Sequence, residues 1–226
     1  VNAIDETLAA GCWTPTVSFG LGDASGADWR AELLEADGSA FRVHPGPDDS
    51  AEVRWQYCGD HNVENGLTAM AAAKHVGVLP GVSADALGTF KGVKRRLELL
   101  GRPGNVAVYD DFAHHPTAIA TTLKGLRART GAGRLIALIE PRSNTMRMGE
   151  HRAQLAASTR DADLVHWFQP AGLDWSLEDV IESGDTAAHL YTDIDALVGA
   201  VSEEAREGDQ VVIMSNGGFG GIHRKL

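Results

Sequence analysis

The pattern of apolar and polar residues changes along the chain, from short β-rich segments to a regular alternation of strands and helices. Two β-rich segments lie on either side of Asp37-Gly38, a dipeptide typical of tight turns. This arrangement predicts a β-hairpin. From Asn105 onward, apolar runs alternate with segments of helical spacing, which favours a mostly parallel, Rossmann-like α/β sheet. Strands are predicted at 14–19, 29–34, 40–43, 52–57, 97–100, 105–110, 134–140, 163–168, 188–191 and 210–215. Helices are predicted at 5–10, from about His61 to Ala73, and at 83–90, 116–129, 149–158, 176–183, 193–206 and 219–225.

Chain breakers and capping residues divide this pattern into two parts. Pro80-Gly81 interrupts the chain, and Ser83 is predicted to cap the helix that follows. The cations Lys94, Arg95 and Arg96 and a turn lie within residues 91–104, where the domain boundary is expected. The chain is therefore divided into a first domain at 1–92 and a second at 93–226.

The stretch from Asn105 to Ile119 concentrates the candidate chemistry. Its strand is expected to end at Asp110 and Asp111, and a short loop then carries His114 and His115. Pro116 suits the first position of a helix, which places His115 at or near the N-cap. Carboxylates, imidazoles and a helix N-terminus at the carboxyl end of a strand form a corner suited to anions or metals. Taken alone, an Asp-Asp pair or a His-His pair more often has only a structural role.

Two other groups of polar residues are candidates for binding. Asn62 and Asn65 lie three residues apart, on one face of the predicted helix, where amides can recognise a purine edge or merely cap the helix. Arg95 and Arg96 lie near the expected domain boundary, where an arginine can bind a phosphate. The chain has no G-x-x-x-x-G-K-[ST] sequence, and hence no Walker loop for ATP phosphates.

Composition narrows the function classes. The 226 residues carry a formal net charge of −11 without a basic run, which argues against a nucleic-acid partner. No segment has the apolar length of a membrane span, and no signal-peptide pattern is found. Cys12 and Cys58 form no metal or redox motif, which suits a cytoplasmic protein. The sequence starts at Val1 within an apparent strand, so we expect the chain to be a piece of a longer protein.

Three strings in this order resemble the Mur ligases of peptidoglycan synthesis: GxHNxxN from Gly59 to Asn65, RRLE from Arg95 to Glu98, and YDDFAHHPT from Tyr109 to Thr117. EPRSNTMRMG from Glu140 and SNGGFGGIH from Ser215 are most similar to the branch that acts in cell-wall recycling. That branch joins UDP-N-acetylmuramate to the tripeptide L-Ala-γ-D-Glu-meso-diaminopimelate through an acyl phosphate. The resemblance covers essentially the entire chain. It implies the end of a central ATPase domain followed by a C-terminal Mur ligase domain.

The resemblance also implies roles for individual residues in a site completed by two closing domains. His61, Asn62 and Asn65 would face adenine, Arg96 a phosphate and Asp111 the ribose hydroxyls of ATP. His114 and His115 would act near the reacting phosphate. The peptide would be held by the segment after the second strand of the C-terminal domain, through Arg142, Ser143, Asn144, Thr145 and Arg147. The Walker loop and the Mg²⁺ ligands are expected upstream, so the chain alone is expected to be inactive.

Three alternatives are kept open. One is the UDP-N-acetylmuramate:L-alanine ligase reaction, and another is a noncatalytic nucleotide-binding module. A third takes Asp110, Asp111, His114 and His115 as a two-metal phosphoesterase cluster, because carboxylate and imidazole are common metal ligands. One such string supplies few ligands for two metal ions.

Overall fold

The computed structural model describes residues 11, 14–22, 26–46, 49–142, 151–173 and 175–226. The chain divides into two compact units. The first comprises residues 1–35, 39–56 and 62–89, and the second comprises 36–38, 57–61 and 90–226. The predicted helix at 5–10 and the start of the one at 149–158 lie outside the described residues.

The first unit contains a four-stranded sheet with two helices. Its strands, in spatial order, are β1 (Phe19–Leu21), β2 (Trp29–Leu33), β3 (Ala40–His44) and β4 (Ala51–Arg54). β1 is parallel to β2, and the two other pairs are antiparallel, so the hairpin predicted at Asp37-Gly38 is confirmed. The helices are α1 (Asp60–His75) and α2 (Pro80–Thr89). Phe41 and Val53 of the sheet pack with Leu67 and Met70 of α1, because the apolar face of each element is buried.

Two boundaries in this unit differ from the prediction. α2 begins at Pro80, so Ser83 lies inside the helix and is buried rather than at the N-cap. Proline favours the first turn of a helix because its missing N–H needs no partner there. Of the strand predicted at 14–19, only Phe19 is in β1.

The second unit is a six-stranded sheet with helices on both faces. Its strands are β5 (Glu98–Gly101), β6 (Ala107–Asp111), β7 (Leu135–Ile139), β8 (Leu164–Phe168), β9 (Ala187–Tyr191) and β10 (Gln210–Met214). The spatial order is β5-β6-β10-β7-β8-β9, in which β5 is an antiparallel edge and all other pairs are parallel. The predicted mostly parallel α/β sheet is therefore confirmed.

Helices cover both faces of this sheet. They are α3 (Pro116–Thr130), α4 (Arg152–Ser158), α5 (Glu178–Glu182) and α6 (Ile194–Glu204). α3 supplies Ile119, Leu123 and Leu126 to the core on one face, while α6 supplies Leu197 and Val201 to the core on the other. β7 is buried along its entire length, as expected for a central parallel strand covered on both sides.

The C-terminal segment differs from the predicted α-helix at 219–225. It forms 3₁₀ turns over Phe219–Arg224, with left-handed backbone at Gly220 (φ 55°) and Gly221 (φ 76°). An α-helix cannot continue through such residues, whereas glycine adopts this conformation at little cost. Buried Phe219 and Ile222 anchor the turns to the core. No helix in the described ranges is long and apolar enough to cross a membrane.

Candidate functional site at the carboxyl edge of the larger sheet

Four polar side chains are buried where three neighbouring strands of the second unit end. They are Asp110 and Asp111 of β6, Glu140 after β7 and Ser215 after β10. Ser215 Oγ donates a 2.6 Å hydrogen bond to Glu140 Oε2 and accepts one of 2.9 Å from the backbone N–H of Gly217. Because β10 lies between β6 and β7, the carboxyl ends of all three strands meet at one place. This edge is the usual ligand site of a parallel α/β sheet.

Asp110 is bound by two cationic or titratable side chains. Arg95 Nε lies 3.2 Å from its Oδ2, and His223 Nε2 lies 3.0 Å from its Oδ1. Arg95 also donates to the backbone carbonyl of Ser215. The left-handed glycines of the C-terminal turns bring His223 back to β6. From the sequence, Asp110 was proposed as a ligand only in the two-metal alternative, and His223 had no proposed role, although it belongs to one of the quoted strings.

Asp111 holds a turn of unusual backbone conformation. Its Oδ2 accepts a 2.8 Å hydrogen bond from Leu97 N, and its Oδ1 accepts one of 2.8 Å from Ala113 N. Leu97 (φ 50°) and Arg95 (φ 60°) are left-handed without being glycine, which is uncommon and is maintained only by surrounding structure. Burial raises the pKa of Asp111, while the two N–H donors act in the opposite direction. Asp111 therefore has a structural role whether or not it also contacts ribose.

His115 caps α3, as predicted. Its Nδ1 accepts a 3.3 Å hydrogen bond from Thr117 N, and its Nε2 lies 3.2 Å from His151 Nε2. A neutral imidazole that accepts at Nδ1 carries its proton on Nε2, so His115 is inferred to donate to His151. Desolvation lowers the pKa of His115, and the proximity of His151 and His114 lowers it further. His114 Nδ1 lies 2.9 Å from the carbonyl oxygen of Phe112. His151 was not among the site residues predicted from the sequence.

Phe112 lies between the two arginines and His114. The guanidinium carbon of Arg95 is 5.3 Å from the centre of the Phe112 ring, and that of Arg96 is 5.7 Å away. The His114 ring meets the same ring edge-on, at a centroid distance of 5.5 Å. Arg96, assigned to a phosphate, is thus placed beside the loop that carries the candidate catalytic histidines.

His61 belongs to the larger unit and has a buried polar atom suited to a ligand. Its Nδ1 is buried and has no hydrogen-bond partner in the described part of the chain. Burial lowers the pKa of His61, which favours the neutral ring. The ring lies against Gly59 (φ 93°), where a β-carbon would come within 2.7 Å of His61 Cε1. Buried donors and acceptors almost always have partners, so the Nδ1 atom is consistent with a bound group.

The remaining predicted site residues fall into three groups. Asn62 is half-buried and Asn65 exposed on α1, in the first unit. Arg142 is exposed, and its side chain lies against Gly217. The rest of the predicted peptide-binding set, Ser143, Asn144, Thr145 and Arg147, lies outside the described residues. No group of three or more His, Cys, Asp or Glu side chains within the described ranges is placed to hold a metal ion, so the two-metal alternative gains no support.

Comparison with known proteins identifies the class to which this fold and site belong. Residues 95–217 match the family model described as Mur ligase, glutamate ligase domain. The chain therefore belongs to the Mur ligase family, as its sequence motifs predicted.

Individual relatives indicate which members of the family the chain is similar to. The chain is 46% identical over 224 residues to the UDP-N-acetylmuramate–L-alanyl-gamma-D-glutamyl-meso-2,6-diaminoheptandioate ligase of Escherichia coli (strain K12). This match covers 99% of the chain and 48% of the relative. A crystal structure of a murein peptide ligase from Psychrobacter arcticus is 44% identical, with a TM-score of 0.70, over 100% of this chain and 48% of that one. The chain spans about half the length of these relatives.

A third structure supports the fold alone. The UDP-N-acetylmuramate–alanine ligase of Thermotoga maritima has a TM-score of 0.74 at 20% identity. The match covers 92% of this chain and 46% of that one.

Proposed function

We propose that this chain forms the C-terminal part of an ATP-dependent ligase that joins UDP-N-acetylmuramate to L-Ala-γ-D-Glu-meso-diaminopimelate in peptidoglycan recycling. The observation that carries the proposal is the identity of 46% and 43%, over nearly the entire chain, to two ligases named for this tripeptide. Ligases named for L-alanine are 29–32% identical in the matches to Crocosphaera subtropica and Mycobacterium.

ATP would supply the phosphoryl group that activates the muramate carboxylate as an acyl phosphate. We assign His61, Asn62 and Asn65 to adenine, Arg96 to a phosphate and Asp111 to ribose. The orphaned Nδ1 of His61 supports the adenine assignment, and the exposed guanidinium of Arg96 suits a phosphate. The Mg²⁺ ligands would be contributed by sequence upstream of this chain.

The peptide would bind beside the glycine-rich turn at the carboxyl edge of the sheet. Arg142 supports this assignment, because a guanidinium on an exposed strand-end loop can bind a peptide carboxylate. Ser143, Asn144, Thr145 and Arg147 are assigned with it on the basis of the family motif. His114 and His115 would act near the reacting phosphate. The lowered pKa of His115 favours the neutral ring, so that the ring would add no charge near the reacting phosphate.

We also propose a domain boundary between residues 92 and 93. The compact unit that contains residues 90–226 supports this position, as does a crystallised domain from a Haemophilus ducreyi relative that covers 58% of this chain and 96% of its own length. A cytoplasmic location is proposed because the two cysteines form no disulfide pattern.

An assay of ADP release tests the proposed reaction. A full-length ligase containing this chain should release ADP from MgATP only when UDP-N-acetylmuramate and the tripeptide are both present. The 226-residue chain alone should show no such release, because it has no Walker loop. Release by the chain alone that depended on both substrates would contradict this assignment of the ATP-binding machinery.

A further inference from the structure

The Phe112 ring connects three functional groups without belonging to a hydrophobic core. It is half-buried and is absent from the apolar clusters on either face of the sheet. Instead, the guanidinium carbons of Arg95 and Arg96 lie 5.3 and 5.7 Å from its centre, and His114 contacts it edge-on. Cations within about 6 Å of an aromatic centroid are attracted by the ring quadrupole. The ring therefore presents its aromatic surface to these groups and does not fill a hydrophobic core.

The two arginines differ in what else holds them. Arg95 is fixed by Asp110 and by the Ser215 carbonyl, and its backbone N–H donates a 2.9 Å hydrogen bond to Glu98. The side chain of Arg96 is exposed, and the direct contact found for its guanidinium within the described ranges is the Phe112 ring. The Phe112 ring therefore contacts a guanidinium that, in the described part of the chain, is otherwise attracted by the charge of Asp111 without a direct ion pair.

The backbone fixes this ring relative to Arg96. Phe112 N donates a 2.8 Å hydrogen bond to the carbonyl of Arg95, directly before Arg96. On the other side of Arg96, Leu97 N donates to Asp111, the residue directly before Phe112. The segments Arg95–Leu97 and Asp111–Phe112 are thus joined by one hydrogen bond on each side of Arg96. These two hydrogen bonds fix the backbone of Phe112 relative to the backbone of Arg96, and so keep the ring near the guanidinium.

We propose that Phe112 is a positioning residue that holds the Arg96 guanidinium in place for a nucleotide phosphate. This inference rests on the function proposed above, which assigns Arg96 to that phosphate. A free arginine side chain loses rotamer freedom when it binds an anion, and an arginine already stacked on a ring loses less. A cation–π contact at an exposed site corresponds to an about two- to fivefold change in affinity.

Nucleotide affinity in a full-length ligase containing this chain tests the proposal. Calorimetric binding of a non-hydrolysable ATP analogue is measured for wild type, Phe112→Leu, Phe112→Met, Phe112→Tyr, Arg96→Ala and the double variant Arg96→Ala/Phe112→Leu. Phe112→Leu and Phe112→Met should each weaken binding about two- to fivefold, whereas Phe112→Tyr, which keeps the aromatic face, should remain within about twofold of wild type. In the Arg96→Ala background, Phe112→Leu should have no further effect on nucleotide affinity, because the ring is proposed to act on the nucleotide only through Arg96.

Other results would contradict either the positioning role of Phe112 or the phosphate role of Arg96. Unchanged affinity in Phe112→Leu and Phe112→Met, with affinity lost in Arg96→Ala, would overturn the positioning role and leave the phosphate role of Arg96 intact. A Phe112→Leu effect that persists without Arg96 would also overturn it, since the ring would then act on the nucleotide or on the fold. Unchanged affinity in Arg96→Ala would instead refute the assignment of Arg96 to a phosphate. Thermal unfolding of each variant identifies any that is not folded, and Phe112→Met provides a second test if Phe112→Leu is unstable.

Discussion

Gly217 lies so close beneath Arg142 that a β-carbon at position 217 would come within 2.6 Å of Arg142 Cδ. The backbone φ of Gly217 lies outside the left-handed region, so alanine is tolerated there without backbone strain. Gly217→Ala should therefore displace the Arg142 side chain and leave the fold intact. In a full-length ligase, the KM for tripeptide should rise about tenfold or more, the scale of one charged hydrogen bond, while the KM for ATP stays unchanged.

Gly218 provides the matched control for this experiment. A β-carbon at Gly218 would meet nothing within 4 Å. Gly218→Ala should consequently leave both KM values within about twofold of wild type, since exposed substitutions of this kind are nearly neutral. Equal effects of the two substitutions would show that the loop, rather than the position of Arg142, determines peptide affinity.

A second close approach joins α3 to the segment that carries His61. A β-carbon at Gly125 of α3 would lie 3.0 Å from the Gly59 Cα, a backbone atom that cannot move aside easily. Glycine to alanine in an exposed helix usually stabilises by about 1 kcal/mol. We expect Gly125→Ala to lower the free energy of unfolding by about 1–3 kcal/mol instead, because overpacking outweighs helix propensity.

Denaturant unfolding of the 226-residue chain measures this effect, with Gly199→Ala of α6 as control. Gly199 is exposed, and a β-carbon there would meet nothing within 4 Å. Gly199→Ala should therefore stabilise by up to about 1 kcal/mol. If Gly125→Ala were stabilising to the same extent, the close packing of α3 on Gly59 would be wrong.

The stability of the larger unit should depend on pH through His166. This side chain is fully buried in β8, its Nδ1 lies 3.3 Å from Tyr191 Oη, and its Nε2 lies 3.7 Å from Glu204. Desolvation by burial lowers the pKa of His166 from 6.5 to about 4, despite the opposing attraction of Glu204. The unfolded chain then binds more protons than the folded chain between these two pKa values, so stability falls as the pH falls through this window.

The size of this effect is measured against a variant that cannot titrate. Between pH 7 and pH 4, the free energy of unfolding of the wild type should fall by about 3 kcal/mol more than that of His166→Phe. If the free energy of unfolding fell equally with pH in the two proteins, the buried His166 ring would not be the cause of the loss of stability at acid pH. The comparison also removes the contribution of other carboxyl and imidazole groups that titrate in both proteins.

Local signals in the sequence were sufficient for features whose determinants are adjacent in the chain. Pro116 after His115 predicted the N-cap of α3, and Asp37-Gly38 predicted the β2–β3 hairpin. The helix predicted from residue 193 is likewise found as α6, with Asp193 as its N-cap accepting a hydrogen bond from Ala196 N. In each of these cases, one or two residues determine the backbone conformation whatever the rest of the fold does.

Features that depend on distant parts of the chain were not predicted. Insertion of β10 between β6 and β7 brings Ser215 to Glu140 and His223 to Asp110, pairs separated by 75 and 113 residues. The contact of His115 with His151 is of the same kind. Asp111 was assigned to ribose, and its hydrogen bond from Leu97 N, 14 residues away, could not be predicted from the sequence. Spacing along the sequence contains no information on such pairings.

The most direct test of the proposed function is a competition between two amines in a full-length ligase. Tripeptide and L-alanine are supplied together with MgATP and UDP-N-acetylmuramate, and the two products are quantified. The ratio of kcat/KM values should favour the tripeptide by more than about tenfold, because L-alanine has fewer carboxylates for Arg142 and Arg147 and one lost charged hydrogen bond costs about 1.5–3 kcal/mol. A preference for L-alanine would contradict the recycling assignment and support the alanine ligase alternative.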